Sequence, residues 1–139
     1  VSGETTGGGL IRLPNALEVY QPDILILELG GNDGLRGYPI EKIRQNLEAM
    51  LADASASGAK TLLVGMVLPP NYGRRYITAF EGLFGAIAKQ HGLPYVPFPL
   101  NSSHAENLLQ ADGIHPTAEA QPMILDSVWQ GLLPLLTDD

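Results

Sequence analysis

The chain of 139 residues contains no cysteine, which excludes disulfides and thiolate metal sites and leaves the redox compartment open. Basic residues are scarce: 8 Lys and Arg stand against 15 Asp and Glu, for a formal net charge of -7. No basic stripe is therefore available to neutralise phosphates, which argues against nucleic acid and against an anionic membrane surface as partners. No apolar run approaches the ~20 residues needed to cross a bilayer, and no signal-peptide pattern is visible in these residues. Repeats, linkers and low-complexity segments are also absent. The chain opens at Val1 rather than at methionine, in "VSGETTGGG", and a segment is expected to precede it. What is present, 45% hydrophobic and 17% charged residues, is the composition of a soluble globular domain with one core.

Three short apolar runs read as strands of a parallel sheet. "PDILILEL" (residues 22–29) is nearly continuous and ends in Gly-Gly, the pattern of a strand buried on both faces. "AKTLLVGMVL" (residues 59–68) is the second, and "LPYVPF" (residues 93–98) is shorter and Pro-flanked, so it belongs near an edge. Between them, Ile40, Ile43, Leu47, Met50 and Leu51 recur at helical spacing ahead of a stop at Gly58. A second helix over residues 75–90 carries Ile77, Phe80, Phe84, Ile87 and Ala88 on one face, and another runs from Pro116 to about Leu133. An earlier helix covers residues 8–20, with Pro14 expected to shorten or bend it. Such alternation implies right-handed crossovers and an α/β fold with helices flanking the sheet. Three strands make a thin parallel sheet, so at least one more is expected upstream.

Four stretches carry candidate chemistry. In "SGETTGGG" a glycine-rich loop opens a helix, an arrangement able to hold phosphate. No Gly-Lys-Ser/Thr follows and the glycine spacing misses the dinucleotide fingerprint, so a turn capped by Thr5 or Thr6 is the plainer reading. "ELGGNDGLRG" follows the best strand, at the strand end where ligands of open parallel sheets sit. There Asn32 offers an amide donor and Asp33 an acceptor for holding the loop, although Asn-Asp-Gly is also common turn chemistry. "LPPNYGRRY" takes the equivalent position after the second strand; Arg74 and Arg75 read as surface residues starting a helix, and the loop as a cleft wall.

In "DGIHP", Asp112 could orient His115 as a general base, worth typically ~10²–10⁴-fold beside a reacting hydroxyl. For an isolated pair of this kind, a turn ahead of a helix is the commoner explanation. His91 and His104 show no metal-ligand spacing with His115, and no metal is expected. The base has no evident nucleophile in the chain. Ser55, Ser57, Ser102, Ser103 and Ser127 do not follow a strand as a nucleophile turn would, and Ser2 is the terminal one.

Taken in order, "SGETT", "ELGGNDGLRG", "LPPNYGRRY" and "DGIHP" resemble the consecutive blocks of the SGNH (GDSL) hydrolases, most of all the small bacterial thioesterase I/arylesterase/lysophospholipase branch. The resemblance covers essentially the whole chain. It implies a flavodoxin-like three-layer α/β/α parallel sheet, of which residues 1–139 are the C-terminal portion of a single domain. The first strands and the Gly-Asp-Ser-Leu block with its nucleophilic serine are missing from this chain, so Ser2 would be the serine of the second block. The resemblance further implies a serine esterase/thioesterase acting through an acyl-enzyme on acyl thioesters, small or aryl carboxylic esters and lysophospholipids, without cofactor or metal. Asp112 and His115 would be the triad partners of an upstream serine. The backbone N–H of Gly3 and the side chain of Asn32 would form the oxyanion hole with that serine's own N–H. Substrate contacts would fall on Gly31, on Gly34, Leu35 and Arg36 in the loop from Gly34 to Gly37 that moves on acyl binding in related enzymes, and on Leu68 and Ile114 along the acyl groove. Related proteins are often periplasmic or secreted. Carbohydrate-ester deacetylation is a second enzymatic reading. A non-catalytic acyl-binding module or a catalytically dead fragment is the rival from another class, although a binding module has no need of the Asp112–His115 pair. On its own the fragment is expected to expose an unpaired apolar strand edge and to need the upstream segment, from the same nicked chain or another copy.

Overall fold

Strand β1 (Ile24–Leu27) lies parallel to β2 (Lys60–Val64), which in turn pairs in parallel with β3 (Tyr95–Val96), in the spatial order β1-β2-β3. The computed structural model describes residues 4–97 and 121–137. Helices precede and follow each strand: α1 (Thr6–Tyr20), α2 (Gly31–Leu35), α3 (Ile40–Ala56), α4 (Arg74–His91) and α5 (Gln121–Thr137), with a short 3-10 turn at Pro70–Tyr72. The expected alternation and the parallel sheet are both present.

The sheet sorts its side chains by the two-residue period of a strand. Leu63 of β2 faces a core built with Leu27, Ile43, Leu47, Met50, Phe80, Leu83, Phe84 and Ile87, and so belongs to the layer of α3 and α4. Its neighbours Leu62 and Val64 point the other way and join Val96 against Val128, Leu132 and Leu135 of α5. Helices therefore cover both faces of the central strand, a three-layer α/β/α arrangement. Phe80 and Phe84 are fully buried and meet edge to face, with ring centroids 5.3 Å apart. Truncating either ring to alanine typically costs ~3–5 kcal/mol.

Helix ends follow local chemistry. After α3, Gly58 takes φ +86°, and the N–H groups of Gly58 and Ala59 return to the carbonyls of Ser55 and Ala54. Gly92 ends α4 in the same way, at φ +65°. The N-terminus of α1 is capped by Thr5, whose hydroxyl accepts the N–H of Gly8 at 3.2 Å. Gly9 lets α1 approach the strand layer, since a Cβ there would stand 2.5 Å from Leu29 Cδ1.

Several expectations need correction. Pro14 does not shorten α1, which runs unbroken through it, because Pro14 sits on the exposed side where solvent can serve the carbonyl it leaves without a donor. The last helix likewise passes about Leu133 and Pro134 to reach Thr137. Residues 31–35, expected as loop, form α2, a helix too short to show a period in sequence. The first strand is not buried on both faces. Leu27 is buried, but Ile26, in register with Leu62 on the α5 side, is 42% exposed. The cause is position: among the described residues β1 has no neighbour on its outer edge, and α5 covers β2 and β3. A trough lined by Leu13 and Ala16 of α1, Leu25, Ile26 and Leu27 of β1, and Met50 of α3 runs along that edge.

Candidate active site

The site begins where β1 ends. Gly30 adopts φ +115°, a left-handed conformation that turns the chain out of the strand and straight into α2. A side chain would also be crowded there, since its Cβ would come 3.0 Å from Phe84 Cζ. Gly31 is buried at the start of α2, and Asn32 follows it at the C-terminal end of the sheet. Asn32 Nδ2 donates to the Glu4 carbonyl at 3.2 Å. A carboxamide nitrogen carries two hydrogens, so this bond orients the amide and leaves its second N–H for another acceptor.

The next residue ties this turn to α1. Asp33 is 2% exposed, with one carboxylate oxygen accepting the Thr6 N–H at 2.8 Å and the other the Thr6 hydroxyl at 2.7 Å. Thr6 is itself fully buried, and its hydroxyl oxygen accepts from Asn46 Nδ2 of α3 at 3.1 Å. A carboxylate placed on the free N–H groups of a helix N-terminus is stabilised by those donors and by the helix dipole. The sequence pointed to Asp33 as a loop-holding acceptor and to Thr5 or Thr6 as caps. Thr5 is the cap, whereas Thr6 is the partner of Asp33. Asn46 carried no sequence signal, because it is a polar residue inside a helix whose period is set by its apolar face. Glu4, beside the site, pairs with Arg12 at 3.3 Å.

Downstream, α2 is pressed against the core. A Cβ on Gly34 would stand 2.8 Å from both Leu68 Cδ2 and Phe80 Cε2, so Gly34 and the buried Leu68 are in direct apposition. Leu35 offers its carbonyl to the Tyr72 hydroxyl at 2.7 Å. Arg36 is exposed and donates to the Tyr38 hydroxyl at 3.3 Å, while the Tyr76 hydroxyl donates to the Tyr38 carbonyl. Partial burial pushes the Tyr76 phenol above its ordinary range, with the Asp33 and Tyr72 charges adding to the effect. These two tyrosines bracket the bend at Gly37, which has φ +68°. In the segment after β2, expected as a cleft wall, it is the tyrosines that reach Leu35 and Tyr38, while Arg74 and Arg75 are exposed at the start of α4. Glu81 of α4 accepts the Leu68 N–H at 3.4 Å; burial raises its carboxyl pKa and the hydrogen bond partly offsets that.

Gly3, Asp112, Ile114 and His115 lie outside the described residues. Among the described residues no three His, Asp or Glu side chains converge as a metal ligand set, and His91 pairs with Glu48 at 3.9 Å.

Known proteins are similar to this chain in sequence and fold. A profile of the GDSL-like lipase/acylhydrolase family matches residues 1–121. Over 137 residues the chain is 50% identical to Esterase TesA of Pseudomonas aeruginosa, an alignment that covers 98% of this chain and 68% of that protein. It is 42% identical over 140 residues to the thioesterase 1/protease 1/lysophospholipase L1 of Escherichia coli K12, covering 100% of this chain and 67% of that one. A crystal structure of TesA superimposes with a TM-score of 0.87 at 50% identity, over 96% of this chain and 75% of the other. The psychrotrophic esterase EstA of Pseudoalteromonas, in a structure inhibited by monoethylphosphonate, gives a TM-score of 0.85 at 39% identity, over 99% of this chain and 75% of the other. With its parallel sheet, its Asn32 turn at the end of β1 and these relatives, the chain belongs to the GDSL-like lipase/acylhydrolase family of hydrolases.

Proposed function

We propose that the protein hydrolyses carboxylic esters and thioesters through an acyl-enzyme, with this chain supplying every catalytic group except the nucleophile. The observation that carries the reading is the Asn32 amide, fixed by the Glu4 carbonyl at the C-terminal end of β1 with one N–H unspent among the described residues. It stands in a chain half identical to an esterase. Together with the N–H of Gly3, it supplies donors where negative charge develops on an attacked carbonyl oxygen.

In this mechanism a serine hydroxyl attacks the acyl carbonyl while His115 takes its proton, with Asp112 holding the imidazole in the required tautomer. The tetrahedral oxyanion is stabilised by Asn32 and Gly3. Its collapse breaks the bond to the alcohol or thiol, which leaves with the proton from His115. Water then attacks the acyl-serine with His115 again as base, releasing the acid. The nucleophile belongs to a segment upstream of Val1, and residues 1–139 are the C-terminal part of one domain. Two facts support this. The chain corresponds to 68% and 67% of the length of two relatives, and among the described residues β1 has no neighbour on the apolar edge beside the trough of Leu13, Leu25 and Ile26.

Acyl thioesters, small or aryl esters and lysophospholipids are the substrate classes, after the thioesterase and lysophospholipase activities in the name of the Escherichia coli relative. Leu68, Ile114 and residues 34–37 border the acyl group in this reading. Export to the periplasm or beyond, which the family resemblance implies, is read by fractionating cells that express the full-length protein. The test of function is fluorophosphonate labelling of that protein with peptide mapping, followed by kinetics of Asn32→Ala and His115→Ala. An adduct upstream of Val1 and a loss of ~10²–10³-fold in kcat for Asn32→Ala are expected. Unchanged hydrolysis by His115→Ala would remove that residue from the mechanism.

A further inference from the structure

The Asn32 amide of the proposed oxyanion hole stands in the first turn of α2, and the carbonyl that orients it, that of Glu4, lies just ahead of α1. An oxyanion donor is effective only at ~2.7–3.1 Å from the oxygen it serves, so the relative placement of these two elements has to be held closely. The direct link, Asn32 Nδ2 to the Glu4 carbonyl at 3.2 Å, is one neutral bond. Beside it lies a stronger tie, the bidentate grip of Asp33 on the N–H and hydroxyl of Thr6 at 2.8 and 2.7 Å. Such charge-assisted bonds are about twice as strong as neutral ones.

Sequence adjacency makes that grip relevant to the site. Asp33 is the residue after Asn32, and Thr6 lies two residues after Glu4, the acceptor of the Asn32 amide. We propose that Asp33 and Thr6 are positioning residues for the oxyanion hole, fixing the Asn32 amide against the start of α1, and that Asn46 sets the polarity of the clamp. The assignment rests on the acyl-enzyme reading above.

Asn46 acts through elementary hydrogen-bond counting. The Thr6 hydroxyl has one proton to give. Because its oxygen accepts from Asn46 Nδ2 at 3.1 Å, the proton is directed to Asp33. The chain of donation runs from α3 through α1 to α2. Nor is the clamp simply a helix cap for α1, since the Thr5 hydroxyl already serves the Gly8 N–H. What Asp33 adds is a buried connection between elements 27 residues apart in sequence.

The test uses the full-length protein with its upstream segment. Active sites are titrated with a fluorophosphonate, turnover is measured on p-nitrophenyl butyrate, and inhibition is measured with a trifluoromethyl ketone whose hydrate-like adduct places an oxyanion in the hole. Thr6→Val should lower kcat per titrated site by ~10- to 10²-fold, the scale of loss from a misplacement of about 1 Å. KM should stay within about twofold, as for a group acting on the transition state. The ketone Ki should rise by the same factor as kcat/KM falls, and Thr6→Ser should restore most of both. Turnover per titrated site equal to wild type, or lower turnover with an unchanged Ki, would overturn the proposal.

If Thr6→Val does not fold, Asn46→Ala is read the same way. A smaller parallel change in kcat and Ki supports the clamp, and no change in either overturns it. Failure of the underlying reading looks different: the wild-type protein takes no fluorophosphonate, or Asn32→Ala turns over at the wild-type rate, and the clamp then falls with it. Labelled wild type that is slowed by Asn32→Ala but not by Thr6→Val or Asn46→Ala removes the positioning role alone.

Discussion

The Tyr72 hydroxyl donates to the Leu35 carbonyl at 2.7 Å, joining the 3-10 turn after β2 to the last residue of α2. Tyr76, one turn into α4, makes the matching bond to the Tyr38 carbonyl, so both ends of the bend through Gly37 are pinned from the same side. The bend follows directly on the Asn32 turn, and its freedom should govern how acyl chains are admitted. Tyr72→Phe in the full-length protein is expected to lose ~1 kcal/mol of stability in urea titration. It should alter KM for long acyl esters while kcat on a short ester holds within about twofold. Identical KM profiles across acyl length would detach these tyrosines from substrate selection.

Gly34→Ala sets two effects against each other. Alanine gains ~1 kcal/mol of helix propensity. Its methyl, however, would meet Leu68 and Phe80 at 2.8 Å, and Phe80 is fully buried in the core. Overpacking of a filled core costs typically ~1–3 kcal/mol, so net destabilisation is expected, with slower turnover because Asn32 sits in the same short helix. A variant more stable than wild type in thermal melts would show that α2 moves outward at little cost.

Glu81 should make stability depend on pH. Burial raises its carboxyl pKa in the folded state, so the fold favours the neutral acid. Its contribution is therefore complete below the ordinary glutamate pKa and is lost as pH rises through the raised folded value. Glu81→Gln removes the ionisation and can still accept the Leu68 N–H. Its advantage in Tm over wild type should be smallest near about pH 4 and grow towards about pH 7, where an ordinary glutamate is fully charged. A gap that narrows as pH rises would contradict the assignment.

The free edge of β1 predicts the behaviour of the fragment itself. With Ile26 42% exposed and the strand unpaired on its outer side among the described residues, residues 1–139 purified alone should aggregate or melt without a cooperative transition. Supplying the upstream segment in trans should restore a cooperative melt by circular dichroism. A monomeric fragment that unfolds cooperatively by itself would show that this edge needs no partner.

Much of this protein is legible along the chain. The helical spacing of Ile43, Leu47 and Met50, and of Phe80, Phe84 and Ile87, predicted α3 and α4, and all six side chains lie in the core. The apolar runs fell on the three described strands, and the Pro-flanked one is the short β3, at an edge among the described residues. The four motif blocks pointed to the family whose profile matches residues 1–121. Five residues of α2 span little more than a helical turn, however, so no period could announce them. In "TLLV" every residue is apolar, so the sequence could not say that Leu63 would face α3 and α4 while Leu62 and Val64 turned to α5.

By itself, then, the sequence determined the order of the elements apart from α2, the parallel sheet, the family and the turn that carries Asn32, because periodicity, turn chemistry and capping act between residues close in the chain. Only the tertiary structure decided that Asp33 closes on Thr6, that Asn46 aims the Thr6 hydroxyl, and that Tyr72 and Tyr76 hold the bend at Gly37. Those bonds join residues 27 to 40 positions apart. A polar side chain can choose such a partner only after packing has brought the two elements together and removed the water that would otherwise satisfy both.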